Sequence, residues 1–290
     1  MQVIISAIAE GLLWAFMALG IYISFRILKR PDLTTEGSFP FGAAVAATLI
    51  INDVHPILAT IIPFFAGALA GLVTGVLMTK AKIPDLLAGI LVMTALYSIN
   101  LVVMDGSNIS LLNSPRLTAL IDQYIHLPAN FSTIIMSMIL LFVISSLLIF
   151  FFKTDLGQAL IATGDNENMA RSMGINTDSM RILGLALANG LVGLSGGLIS
   201  QNNGYADISM GIGIFVIGLA AIIIVEIFYK NLTLPLRFVS IPIGAIFYRL
   251  IVAFALYIGL PPRLLNLVSA IILGLFLSLP KLIEQKGAKE

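Results

Sequence analysis

Apolar residues run along this chain in long blocks separated by short polar interruptions. A helix that crosses the hydrocarbon core of a bilayer needs about 20 predominantly apolar residues. Ser132–Phe152 meets this most clearly, being apolar almost throughout and uncharged. Pro56–Thr79, Leu86–Met104 and Ile182–Asn202 come close behind, followed by Ile4–Phe25, Gly211–Phe228, Val239–Ile258 and Leu264–Leu279. Ser38–Ile51 is apolar but short and opens on SFPFG. It reads either as a short span or as one half of a broken helix, with PDLTTEG as the break. The pattern predicts an all-α fold: a polytopic transmembrane helical bundle of about nine spans, with eight and ten also open. It forms a single transmembrane domain over 1–290.

The basic residues test that count. With nine spans, one face receives Arg26, Lys29, Arg30, Lys80, Lys82, Lys153, Arg171, Arg181, Lys230, Arg237, Lys281, Lys286 and Lys289, which is 13 of the 16 lysines and arginines. The other face receives Arg116 and Arg263, and Arg249 falls within a span. Cytoplasmic loops carry the excess of basic residues. The rich face is therefore expected to be cytoplasmic, with the N-terminus outside and the C-terminus inside a cell membrane.

Composition agrees with a membrane protein: 59% of residues are hydrophobic and 11% charged, against about 45–50% and about 25% in soluble domains. A net charge of +1 argues against nucleic acid as a partner. With no cysteine, disulfides, thiolate metal sites and cysteine nucleophiles are excluded. The first twenty residues lack a basic segment and exceed the apolar length of a signal peptide, so they read as a retained first span.

Two connections exceed ordinary loops. Residues 105–131 form a polar extracytoplasmic loop with amphipathic pieces such as RLTALIDQYI. Residues 153–180 form the only sizeable cytoplasmic element, and loops of this length are often functional. Asp155–Gly164 and Asn166–Ser172 are helix-compatible, Gly174 suits a C-cap and Asn176-Thr177-Asp178 suits an N-cap. The residues thus predict a short helix pair across the inner face. It is either a solvated connector or a docking element.

Here the residues resemble a known family. The run T-x-L-G-x-A-x-x-A-x-G-(D/E)-(N/D)-x-x-x-A-x-x-x-G-I-N-T-D occupies Thr154 to Asp178 and leads into LALANGLVGLSGGLISQNNG and ISMGIGIFVIGLAAIII. The chain resembles permease subunits of ATP-binding cassette importers for branched-chain amino acids, and the related ribose-type sugar permeases. LTTEGSFPFGAAVAA and SIPIGAIFYRLI match more weakly. The chain departs from the family at Val225-Glu226, where a glycine pair is usual, and in the basic pair of LKRPDLTTEG. The resemblance implies a permease with no cofactor of its own, moving branched-chain or aromatic amino acids inward by alternating access. It implies two ATPase subunits carrying ATP and Mg on the inner face, a second permease copy or paralogue, and an extracytoplasmic substrate-binding protein. It makes the inner loop a coupling helix, through Asp155, Gly157, Ala162, Gly164, Asp165, Asn166, Ala170 and Gly174. No G-x-x-x-x-G-K-(S/T) phosphate loop occurs here, so ATP hydrolysis must come from another chain.

Polar residues within the spans are the candidates for a pathway. Transporters often site cargo at unwound helices, which singles out Asp32, Thr34, Thr35 and Glu36 in the break, unless that stretch is an ordinary inner loop. Asn100, Asn189, Gln201, Asn202 and Asn203 either line the conduit or bridge helices. Arg249 either meets a cargo carboxylate or forms a structural pair, with Glu226 the partner named by the sequence. Glu226 itself reads as interfacial and Glu10 as reaching headgroups. Gly193 and Gly197 form a G-x-x-x-G, with Gly190 and Gly196 nearby, for packing within one subunit or between two. His55 and His126 lack metal spacing, no Ser/His/Asp set places a nucleophile beside a base, and Asn108-Ile109-Ser110 as a glycosylation acceptor carries no weight in a bacterial-type permease. Alternatives are a sugar or nucleoside permease of the same kind, or a secondary transporter driven by an ion gradient.

Overall fold

The computed structural model describes residues 2–112, 116–117, 130–229, 232–261 and 264–287, with side chains up to 276. Eleven helices follow in order: α1 (Gln2–Tyr22), α2 (Thr34–Ile51), α3 (Pro56–Thr79), α4 (Asp85–Met104), α5 (Phe131–Lys153), α6 (Asp155–Asp165), α7 (Glu167–Ser172), α8 (Thr177–Asn203), α9 (Ile214–Phe228), α10 (Leu234–Tyr257) and α11 (Leu265–Gly287). Each of the nine expected apolar segments is a helix. Among the described residues, seven helices are long and apolar enough to cross a membrane. The other two are α2, whose first turn is polar, and α11, apolar over Leu265–Phe276. The chain is a multi-pass membrane protein. RLTALIDQYI, His126, Lys230, Arg263 and Lys289 lie largely or wholly outside the described residues.

The break sits slightly earlier than the sequence suggests. α1 widens into a π turn over Ile23–Ile27, where Leu28 N–H donates to the Ile23 carbonyl at 2.9 Å and Arg30 N–H to that of Ser24 at 2.9 Å. Lys29 then adopts φ 55°, and Pro31 has no N–H with which to continue the helix. Asp32 and Leu33 end the break, while Thr34–Gly37, read as part of it from sequence, are already helical.

α8 is the most enclosed span, with α1, α2 and α3 packed around it. Its glycines set the spacing. A Cβ on Gly193 would lie 2.5 Å from the Pro63 carbonyl oxygen, and one on Gly42 of α2 would lie 2.0 Å from the Gly193 carbonyl oxygen. Small residues permit such backbone approach in lipid, and both contacts are internal to this chain. Away from α8 the helices present apolar faces, such as Ile61, Phe65, Leu69 and Val76 on α3 and Met138, Phe142 and Leu147 on α5.

At one end of the bundle a two-stranded antiparallel ribbon, absent from the all-α expectation, pairs β1 (Asn108–Ser110) with β2 (Tyr205–Asp207), Ile109 opposite Ala206. The other end gathers charge: Arg26 pairs with Glu226, Lys29 with Asp165 at 2.8 Å, and Arg237 with Glu226 at 3.6 Å. This settles Glu226 at the bundle end. The Arg249–Glu226 pair named from sequence does not form; Arg249 instead pairs with Glu10, half a bundle away.

The tight approach predicts a contrast between two glycines. Gly42→Ala is expected to lower the thermal midpoint of the purified protein, corresponding to about 1–3 kcal/mol of overpacking. Gly274→Ala, with nothing within 4 Å of its added Cβ, is expected to leave it unchanged or higher.

Candidate functional site

The break delivers Asp32 into the middle of the bundle with 0% exposure. A carboxylate there is costly unless hydrogen bonds replace its water, and it has them. Oδ1 accepts from the Thr34 N–H at 2.9 Å, at the start of α2, and Oδ2 accepts from Asn189 Nδ2 at 2.6 Å. Asn189 is the thirteenth of the 27 residues of α8, so this contact lies near the centre of that span. Its Oδ1 accepts from the Ser38 hydroxyl at 2.7 Å, and its Nδ2 also donates to the Leu185 carbonyl at 3.0 Å. Thr34 and Thr74 share a 2.7 Å hydroxyl contact, and the Thr35 hydroxyl donates to the Asp32 carbonyl at 3.0 Å. α2, α3 and α8 are thus cross-linked at the break.

One turn beyond, a cavity of about 470 Å³ opens between α2, α4 and the Ile208–Gly211 turn that precedes α9. Glu36, Asn100, Tyr97, Thr94 and Ser209 supply its polar groups, and Met93, Ile208 and Ile212 its apolar ones. The Glu36 carboxylate accepts from the backbone N–H groups of Gly213 and Phe215, at the N-terminus of α9. Helix N-termini favour negative charge. Pro40 lacks the N–H that would bond the Glu36 carbonyl in a regular helix, and Gly211 lies directly against that carbonyl. Asn100 Nδ2 reaches the Gly37 carbonyl at 3.5 Å, whereas Asn100 Oδ1 is buried with no hydrogen-bond partner. A buried acceptor left unpaired is expensive, and this one borders the cavity.

At the charged end, α6 and α7 form the expected short pair. Thr154 caps α6 by accepting from Gly157 N–H at 3.4 Å, Asn166 caps α7 by accepting from Met169 N–H at 3.1 Å, and Asn176 caps α8 by accepting from Ser179 N–H at 3.1 Å. Gly174 takes φ 85° just past α7, a conformation that favours glycine. The pair is anchored inward. A Cβ on Gly164 would sit 1.8 Å from the Ile27 carbonyl oxygen, and Ala170 and Gly157 are buried. Glu167 is the ionic hub: it pairs with Arg181 of α8, with Arg171 at 3.1 Å and with Arg30 at 3.4 Å. Arg30 also pairs with Asp85 at the start of α4. The basic pair Lys29-Arg30 is therefore what fastens the helix pair to the break, two residues from Asp32.

The structure brings Asp32, Thr34, Thr35 and Asn189 into one network and Glu36 and Asn100 to one cavity beside it. Gln201 lies apart, buried near the far end, where it donates to Thr60 at 3.0 Å and accepts from Leu117 N–H at 3.1 Å. Asn202 Oδ1 faces the Thr133 hydroxyl at 3.3 Å. Arg249 is separate again, beside Glu10 and Trp14. In the coupling set, Gly157, Ala162, Gly164 and Ala170 face the bundle, while Asp155, Asp165, Asn166 and Gly174 are exposed. Sequence reading missed Ser38, Thr74 and Glu167. Serine and threonine in spans carry no distinguishing signal, and the value of Glu167 lies in three arginines from three other segments or turns.

This arrangement, a bundle broken between α1 and α2, a polar cavity beside the break and a capped helix pair at a charged face, is that of a permease. The chain matches over residues 3–277 the family described as branched-chain amino acid transport system / permease component, and it belongs to that family. It is 40% identical to the tyrosine transport system permease protein of Clostridioides difficile over 96% of this chain and 91% of that protein. It is 37% identical to an uncharacterized protein of Rickettsia prowazekii over 96% and 98%. The ribose import permease protein of Escherichia coli is 25% identical over 72% of this chain and 64% of that protein. No solved structure shows significant similarity to the chain.

Asn189→Leu is expected to strand the Asp32 carboxylate and lower stability by about 1–3 kcal/mol, read as a fall in thermal midpoint. Replacing both, Asp32→Leu with Asn189→Leu, is expected to recover part of that loss, since no buried carboxylate is then left without its amide donor and only the smaller Ser38 hydroxyl and Thr34 N–H lose an acceptor.

Proposed function

We propose that this chain is the membrane-spanning subunit of an ATP-driven importer that takes in an amino acid with an aromatic or branched side chain. The observation that carries this reading is the cavity between α2 and α4. Its two acceptors, the Glu36 carboxylate and the unpaired Asn100 Oδ1, suit an ammonium group, and Met93, Tyr97 and Ile212 suit an apolar side chain. The tyrosine permease, similar over nearly the whole length, supports the cargo class. Thr94 and Tyr97 are exposed on α4 beside the cavity, so a second permease copy set against α4 closes it.

The charged end is the cytoplasmic one, by the excess of lysine and arginine there, and the N-terminus is outside. The exposed side of α6 and α7 carries apolar Leu156, Met169 and Met173 among polar neighbours, with Met173 70% exposed. That is the docking face for ATPase subunits, which bring ATP and Mg. Movement imposed there passes through Glu167 and Arg30 to the break, and so to the Asp32 and Glu36 region where cargo is held. An extracytoplasmic binding protein delivers cargo at the ribbon end. Asp32 is held by Asn189 rather than left free to exchange a proton or bind an ion, which supports ATP rather than an ion gradient as the energy source.

Two measurements test this. Met169→Glu with Met173→Glu is expected to abolish co-purification of the ATPase subunit without lowering the yield of folded permease; retained ATPase overturns the docking assignment. In vesicles reconstituted with the whole complex, Glu36→Gln is expected to cut tyrosine and leucine uptake about tenfold, the loss of one charged hydrogen bond. Uptake of ribose in place of either amino acid overturns the cargo class.

A further inference from the structure

Arg249 and Glu10 are unusual because neither belongs to the break, the cavity or the charged end. The pair joins α10 to α1 in the half of the bundle farther from the charged end, and the Arg249 guanidinium carbon also stands 5.0 Å from the Trp14 ring centroid. Among the described residues Glu10 is the one acceptor on Arg249, through Nη2. A guanidinium has five N–H donors, so most of its capacity is unspent. Glu10 is 34% exposed at the side chain, and Arg249 is 20% exposed. Both charges border a cavity of about 510 Å³ that also receives Ser6.

That cavity does not end at the charges. It shares Val3, Ala253 and Tyr257 with a second groove of about 490 Å³, which continues between Ile4 and Phe254 and has no charged group. Val3, Ile4, Phe254 and Tyr257 are all exposed there, on a surface that faces lipid once the bundle is in a membrane. The combined shape has an anion receptor and a cation receptor side by side at one end and a long apolar trough at the other. A small zwitterion fills the first part and leaves the trough empty. An amphiphile whose head carries both charges fills the whole.

We propose that the Glu10–Arg249 pair and the trough beside it form a binding site for one zwitterionic phospholipid, its phosphate on Arg249, its ammonium on Glu10 and an acyl chain along Ala253 and Phe254. The phosphate receives charge-assisted hydrogen bonds from the unspent guanidinium donors, and the ammonium donates to the Glu10 carboxylate. Charge demand inside the bilayer is met from both sides, which a protein pair alone does for one face only. The lipid occupies the seam between α1 and α10, away from the proposed cargo cavity, so this site stands whether or not the cargo reading does.

The test is native mass spectrometry of the detergent-purified protein after exchange with phosphatidylethanolamine and phosphatidylglycerol of identical chains at equal mole fraction. The unaltered protein is expected to retain the ethanolamine lipid about tenfold better, the share of one charged hydrogen bond. Arg249→Gln is expected to lose both lipids, and Glu10→Gln to keep binding but lose the preference. Ala253→Phe fills the trough without touching either charge and is expected to lose both, which keeps the test decisive if a charge variant fails to fold. Equal retention of the two lipids by the unaltered protein, or undiminished retention in Ala253→Phe, overturns the site. Displacement of the lipid by free leucine or tyrosine also overturns it, by assigning the pair to cargo.

Discussion

A carboxylate held in the middle of a membrane bundle is the constraint on which the rest of this structure depends. Asp32 is fully buried, and hydrocarbon offers it nothing. Its partners are Thr34 at the start of α2 and Asn189 from α8. Asn189 reaches it because α8 approaches α2 and α3 at backbone distance, and that approach exists because Gly42, Gly67, Gly71 and Gly193 carry no side chain. The glycine spacing, the broken helix and the polar network are therefore one device. Removing the glycines would separate the helices and leave the carboxylate without its amide donor.

Ionic contacts divide by place. At the charged end they are numerous and half-exposed, and each by itself contributes little. Their importance is connectivity: Glu167 gathers Arg30, Arg171 and Arg181, and Arg30 continues to Asp85, so α4, α7, α8 and the break share one cluster. At the opposite half of the bundle a single pair among the described residues, Glu10 with Arg249, stands against apolar surroundings, where loss of one partner leaves an uncompensated charge. The first arrangement ties several segments into one unit. The second suits a fixed seam.

Much of this was legible in the residues. Nine apolar segments became nine helices, because a backbone in hydrocarbon has to satisfy its own hydrogen bonds and a helix does so locally. The short helix pair and its caps at Thr154, Asn166 and Asn176 were legible for the same reason: an N-cap is satisfied within three residues. The break was legible from Pro31, and only its end was misplaced, because Thr34–Gly37 are polar residues that nevertheless start a helix. What the sequence could not supply was pairing. Arg249, read as meeting a cargo carboxylate or pairing with Glu226, is turned by helix rotation to Glu10, and Gln201 bonds near the ribbon end, apart from Asp32 and Asn189.

Taken alone, the sequence determined most of what depends on distances of a few residues: which long apolar segments are helical, the caps of the short helix pair, and the motif from Thr154 to Asp178 that marks the family. Only the tertiary structure decided which polar groups meet, that Asp32 finds Asn189 157 residues away and that Glu36 meets the backbone at the start of α9. The reason is geometric. Hydropathy fixes that a helix crosses the bilayer but leaves its rotation free, and rotation is set by packing, here by the glycines through which α8 meets its neighbours.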